Sequence, residues 1–267
     1  MLKDLIVLIK GAGDLATGVA FRLHRAGMRV VMTEIPQPTA IRRAVAFAEA
    51  VYEGTHTVEG ITARRVEGLG EIQAAWERGE IPVVVDPKAR IRELLKPDVV
   101  IDAIIAKRNT GTRITDAPVV IALGPGFTAG VDCHAVIETN RGHYLGRVIL
   151  KGSAQPNTGV PGEIGGESEK RVIRSPADGV FNALRTIGDF VEEGEVVAQV
   201  NGEPVRARLK GVLRGILHPG LSVRKGMKVG DVDPRGVREH CFTISDKSLA
   251  VAGGVLEAIL MLHRAIL

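Results

Sequence analysis

The chain has 267 residues, a net charge of +4 and only 3% aromatic side chains. That length suits one large or two modest domains. The mild charge suits small anionic ligands, and no basic stretch interleaved with aromatics appears, which argues against nucleic acid as a partner. The two cysteines, Cys133 and Cys241, stand far apart without metal-binding spacing; this excludes a disulfide scaffold or a structural zinc site and fits a reducing, cytoplasmic compartment.

The run Leu5 to Lys10 is apolar and largely β-branched, and it stops at Gly11-Ala12-Gly13. It is too short for a signal peptide and reads as a strand. Leu15, Val19, Leu23 and Ala26 then recur at helical spacing until Gly27, and a second strand, Arg29 to Thr33, ends at Glu34. Strand, glycine turn, helix and an acid about 20 residues on make the dinucleotide-binding pattern. In that reading Gly11 makes the turn, Gly13 admits a pyrophosphate, and Glu34 accepts from a ribose diol, which favours NAD over its 2′-phosphorylated form. Asp14 sits where a carboxylate repels phosphate unless it binds a hydroxyl or metal or caps the helix. The alternative is a scaffold whose glycine turn only packs.

Thr39 caps an expected helix carrying Ile41, Ala44, Val45, Ala48 and Val51 up to Gly54. Arg42 and Arg43 in its first turns either meet a phosphate on the ribose or are simply solvated. Residues 56–66 alternate around Glu59-Gly60 as a hairpin, and a short helix with Trp76 and a strand over Ile81 to Val85 follow. Lys88 to Lys96 reads as a helix ended by Pro97. Asp98 to Ala106 reads as an apolar strand holding Asp102, an acid that needs a basic partner or a ligand if buried. The polar loop Lys107-Arg108-Asn109 comes next, then a strand over Pro118 to Leu123 that runs into a loop from Gly124 to Gly130.

Alternating strands and helices imply a parallel sheet covered on both faces, with the carboxyl-end loops meeting at one rim where ligands bind. The candidate cofactor-binding set is therefore Gly11, Gly13, Asp14, Glu34, Asp102, Lys107, Arg108, Asn109, Gly124 and Gly126. Residues 134–150 read as a hairpin with His134 and Glu138 on one face, but acids and histidines at hairpin edges are usually polar surface, and no metal ligand is assigned. No Ser/His/Asp or Cys/His constellation is readable from spacing, so no catalytic residue is assigned either.

Residues 152–166, rich in Gly, Pro, Ser and Asn, read as a linker or substrate loop. Beyond them lies a duplication: Gly179-Val180, Gly188, Val191 and Gly194 recur 32 residues later as Gly211-Val212, Gly220, Val223 and Gly226. Neither copy can bury its apolar side alone, so the two are expected to interlock. The spacing resembles the barrel-sandwich hybrid of biotinyl and lipoyl carriers. The hairpin between the copies, Val200 to Val205, has no lysine at its tip, which excludes a swinging-arm carrier. After Asp233-Pro234, Phe242 to Ile244 is an expected strand, and Ser245 caps a helix to the C-terminus. That helix is apolar nearly all round, but Glu257 and Gly253-Gly254 make it a better buried helix than a membrane span.

The expected architecture is α/β: a Rossmann-like nucleotide-binding domain over 1–168, a small all-β barrel-sandwich hybrid over 169–236, and a strand and helix over 237–267 that return to the first domain. The segments 11–18, 102–109, 124–130, 138–143 and 230–235 together resemble the YqeB-type accessory proteins associated with selenium-dependent molybdenum hydroxylases. The Rossmann half is similar in kind to the XdhC-type maturation factors. The resemblance implies a role in maturing the molybdenum or selenium centre of a hydroxylase, the client; the residues themselves supply the ligand candidates, a molybdopterin nucleotide or NAD at the rim. A competing reading is an NAD-dependent or selenium- or sulfur-transfer enzyme using Cys133 or Cys241, the latter beside His240. No membrane association is expected, and an oligomer is compatible with the pattern.

Overall fold

The structure is a computed structural model, and it describes residues 2–160 and 162–264. The chain divides into two compact units. The first comprises residues 1–38, 46–158 and 244–267, and the second residues 39–45 and 159–243.

In chain order the first unit contains β1 (Ile6–Lys10), α1 (Asp14–Arg25), β2 (Arg29–Glu34), α2 (Ala50–Glu53), β3 (Thr55–Val58), β4 (Ile61–Val66), α3 (Leu69–Glu77), β5 (Ile81–Val85), α4 (Arg92–Leu95), β6 (Val99–Asp102), β7 (Val119–Leu123), β8 (Ala135–Ile137) and β9 (Val148–Ile149). They build one nine-stranded sheet in the order β3-β4-β5-β2-β1-β6-β7-β8-β9. The inner strands are parallel, while β3 at one edge and β9 at the other run antiparallel to their neighbours. Strand alternation divides the apolar residues between two faces. On one face Leu8, Val31, Val84, Val100, Val120 and Val136 pack with Ile72 and Ala75 of α3 and with Phe127, Ala129 and Cys133 from the loop after β7.

The other face belongs to α1 and a C-terminal helix of the same unit, Asp246–Arg264, which packs along α1 and against β7, β8 and β9. Ser245 caps it, its hydroxyl accepting the Ser248 amide at 3.2 Å. Val251, Ala252, Val255, Ala258 and Ile259 are its buried stripe. The last three residues of the chain, expected to continue this helix, lie outside the described residues, as does Pro161 of the expected linker.

The second unit contains β10 (Val172–Arg174), β11 (Gly179–Ala183), β12 (Phe190–Val191), β13 (Val196–Val200), β14 (Glu203–Arg206), β15 (Gly211–Ile216), β16 (Ser222–Val223) and β17 (Lys228–Asp233). They form two four-stranded antiparallel sheets, β10-β17-β15-β12 and β14-β13-β11-β16. The duplicated segments exchange their middle strands: β12 of the first copy pairs with β15 of the second, and β16 of the second with β11 of the first.

The expected Rossmann-like sheet with a barrel-sandwich hybrid domain is corrected by these sheets. The nine-stranded sheet is mixed, because the Thr55–Val66 hairpin inserts β4 beside β5 and leaves β3 antiparallel at the edge. Among the described residues no helix joins β6 to β7 or β7 to β8, so loops stand where a doubly wound sheet has helices. The expected helix over 39–54 is likewise broken into short 3-10 turns and α2. Its amides are claimed elsewhere: Phe47 donates to Thr17 Oγ1 and Ala48 to the Ala12 carbonyl, both at 2.8 Å. The expected helix over 88–96 shrinks to α4, and Asp102 ends β6 instead of lying inside it. Phe242 to Ile244 forms no strand; a 3-10 turn, Arg238–Cys241, precedes it.

Candidate functional site

Parallel strands end on one edge of their sheet, so the loops after β1, β6, β7 and β8 gather there. Two glycines set how closely. Gly11 has φ +92, and a Cβ on it would lie 3.1 Å from the Ala103 carbonyl oxygen, so the β1 and β6 loops touch backbone to backbone. Gly126 has φ +105, and a Cβ there would stand 2.5 Å from Arg108 Cα, so the β7 loop lies directly on Lys107-Arg108. Only glycine meets both conditions cheaply. Gly124 continues the arc, facing Thr139 Oγ1 just beyond β8.

The acids of the predicted set are occupied by the chain itself. Asp102, 1% exposed, accepts a 2.5 Å hydrogen bond from Thr112 Oγ1 and pairs with Lys10 Nζ at 3.2 Å. Lys10 Nζ also donates to Thr112 Oγ1. The buried acid thus has the basic partner its burial demands, without a ligand. Asn109 holds its own loop: its Oδ1 accepts the Gly111 and Thr112 amides, both at 2.8 Å, and its Nδ2 donates to the Thr112 carbonyl.

Glu34 does a different job from the one its spacing suggests. Its Oε2 accepts the Ala12 amide at 2.8 Å and its Oε1 the Ile35 amide at 2.7 Å. Burial pushes its pKa up, and the two accepted hydrogen bonds oppose that rise. The amide between Gly11 and Gly13, which the fingerprint would offer to a pyrophosphate, is capped by a carboxylate. Any NAD at the glycine turn would compete with Glu34 for that amide. Asp14 Oδ1 accepts the Leu15 amide at 2.9 Å, and its carbonyl accepts from Ser248 Oγ at 2.9 Å. A Cβ on Gly13 would meet nothing within 4 Å, so its place imposes no glycine requirement of packing.

Two cations of the predicted set are left over. Lys107 and Arg108 are exposed, and among the described residues neither has a hydrogen-bond or ion-pair partner. Lys107 at φ +60 and Ile105 at φ +59 are left-handed without being glycine, a conformation that costs on the order of 1 kcal/mol or more each and clusters at functional loops. Arg42 and Arg43 belong to the second unit. Arg42 donates to the His240 and Thr243 carbonyls and Arg43 to the Ile216 carbonyl, so neither is merely solvated. His134 is also occupied, its Nδ1 accepting the Val120 amide at 2.9 Å.

The C-terminal helix starts where the sequence reading put it, after Ser245, but that reading did not include Lys247, which the helix start brings to this arc beside Asp14. Lys247 lies within electrostatic reach of Asp14, Glu138, Arg141 and Asp246. Burial, chiefly, holds its ammonium below the usual lysine range; Arg141 adds to the effect, and the three acids oppose it. The capping signature Ser245-Asp246-Lys247 marked a helix start, but nothing local said which loops it would meet.

No family model matches the chain. It is 55% identical over 257 residues to the "Uncharacterized protein YqeB" of Escherichia coli K12, covering 96% of this chain and 48% of that protein. Among solved structures, TcdA (CsdL) aligns over 98% of this chain and 89% of its own, at 13% identity and a TM-score of 0.34. An aspartoacylase family protein from Mesorhizobium loti aligns over 85% and 84%, at 12% identity and a TM-score of 0.27. Likenesses this low say nothing about activity. The chain spans about half the length of the curated relative it matches, and across that half the two sequences are 55% identical.

Proposed function

We propose that the chain binds a small phosphate-bearing cofactor at the rim of the mixed sheet and acts as an accessory factor in maturing a molybdenum hydroxylase of the selenium-dependent kind. The observation that carries the ligand-binding part is the pair Lys107 and Arg108, exposed and without partners among the described residues, on a loop pinned by Gly126. A phosphate offers such cations what water offers them now, with a gain from charge-assisted hydrogen bonds. A molybdopterin nucleotide is the ligand class this arrangement favours, with Lys107 and Arg108 holding its phosphates. NAD is disfavoured by the capped Ala12 amide.

A client-docking role draws support from the second unit. There Phe190 is 64% and Phe242 43% exposed, with Arg238 5.8 Å from the Phe242 ring centroid and Arg235 nearby in sequence. Exposed aromatics beside arginine are the composition of protein interfaces.

Calorimetry tests the ligand. Binding of a molybdopterin dinucleotide is expected, weakened about tenfold or more in Lys107→Ala/Arg108→Ala, since each lost charged hydrogen bond is worth about 1.5–3 kcal/mol. Absence of binding, or binding indifferent to both substitutions, overturns the reading.

The thiol-transfer alternative meets a physical obstacle. Cys133 and Cys241 are both fully buried. Burial, with help from Asp132 and Asp102, pushes the Cys133 thiol up to about 12, and burial also raises Cys241. Thiols need the thiolate to react. Titration with an aromatic disulfide reagent at pH 8 should therefore label neither cysteine in the native protein and both in urea; prompt native labelling would revive the alternative.

A further inference from the structure

The C-terminal helix carries two apolar stripes, and the first unit covers one of them. Val251, Ala252, Val255, Ala258 and Ile259 are buried, on the side that packs along α1 and the sheet. Gly253, Leu256, Glu257, Leu260 and Met261 recur at i, i+3, i+4, i+7 and i+8, so they share a second face. With Arg22 of α1 they line a cleft of about 400 Å³. Leu260 is 38% and Met261 45% exposed there. From Ala250 to Met261 the one charged residue is Glu257. A helix that rests on a protein surface shows a polar stripe to water; one that is apolar on both sides is packed on both.

Two charges mark the uncovered face, and they have opposite signs. A Cβ on Gly253 would lie 3.8 Å from Arg22 Nη1, so the guanidinium reaches the helix at that level. Glu257 stands one helical turn further along. Among the described residues neither side chain has a hydrogen-bond or ion-pair partner, and they do not pair with each other. A face with charge of one sign repels its own copy. A face with one cation and one anion, set apart along a helix, attracts its copy when the two are related by a two-fold axis.

We infer that a second copy of the chain docks on this face, giving a two-fold dimer built on the C-terminal helices. An axis passing near Leu256 brings the Leu256, Leu260 and Met261 stripes of the two copies together. The same axis sets Glu257 of each copy opposite Arg22 of the other. The contact is isologous, so it closes at two chains. The inference is separate from the cofactor-binding reading, since it uses neither Lys107 nor Arg108.

Sedimentation velocity of the full chain over a range of micromolar concentrations tests it. The mass at the upper end is expected to be twice the 28.5 kDa of one chain. Leu260→Glu, at an exposed position, should keep native circular dichroism and sediment as a monomer. Arg22→Glu alone and Glu257→Arg alone each bring like charges together at both symmetric contacts, and each should weaken the dimer about tenfold or more. Mixed in equal amounts, these two variants should associate with each other as strongly as the parent does, because each then meets the opposite charge. If Arg22 and Glu257 serve only their own chain, or if the face receives a different protein, mixing restores nothing. A parent that stays monomeric throughout, a dimer that survives Leu260→Glu, or a mixture no stronger than the separate variants overturns the inference.

Discussion

Asp102→Ala is expected to destabilise the protein by about 3–5 kcal/mol, the range for breaking one side of a buried ion pair. The reason lies in Lys10, whose side chain is 10% exposed and whose counter-charge is Asp102 at 3.2 Å. Removing the carboxylate strands an ammonium at the junction of β1 and β6, two central strands of the sheet. Thr112 loses its acceptor in the same step. The triple change Lys10→Met/Asp102→Leu/Thr112→Val should recover most of the loss, because it removes the whole polar cluster instead of half of it. Urea denaturation of the three proteins decides the matter. A single variant within about 1 kcal/mol of the parent would mean that water reaches Lys10 freely and that the pair is not a structural element.

Adjacent glycines on the C-terminal helix should behave in opposite ways. A Cβ on Gly254 would overlap the Gly146 carbonyl oxygen and approach Ile137 Cγ2 to 3.0 Å. Gly254→Ala must therefore push the helix off the β8–β9 loop, at a cost of about 1–3 kcal/mol or more. A Cβ on Gly253 would find only the Arg22 Nη1 atom, at 3.8 Å. Gly253→Ala should stabilise the helix, by up to about 1 kcal/mol of helix propensity. Thermal unfolding of the two variants should move in opposite directions from the parent. A shared direction would refute the close approach of helix and loop.

The candidate site divides in the same way between what local chemistry reveals and what it hides. Lys107 and Arg108 were readable as donors because they follow a strand and precede a strand-free, polar stretch. Their freedom from partners was not, since it depends on which acids the fold leaves for them. Glu34 shows the opposite error. Its spacing from the glycines matched a ribose acceptor, but pairing of β1 with β2 carries the Ala12 amide onto its carboxylate. A sequence pattern records separation along the chain; it does not record competition from the protein's own amides. Lys247 was invisible for a similar reason. Its place beside Asp14, Glu138 and Asp246 depends on segments far apart in the chain.

By itself the sequence determined the local units: the strand, turn and helix at the start, the hairpin around Glu59-Gly60, the Ser245 helix cap and the 32-residue duplication. These rest on φ preferences, capping and periodicity, which act over a few residues. Only the tertiary structure decided that the large sheet is mixed and nine-stranded, that the repeats exchange strands between two antiparallel sheets, and which charges remain unpaired at the rim. Edge strands join a sheet through backbone hydrogen bonds that any residue can make, and buried charges choose partners by distance in space. Neither choice is encoded in residue spacing.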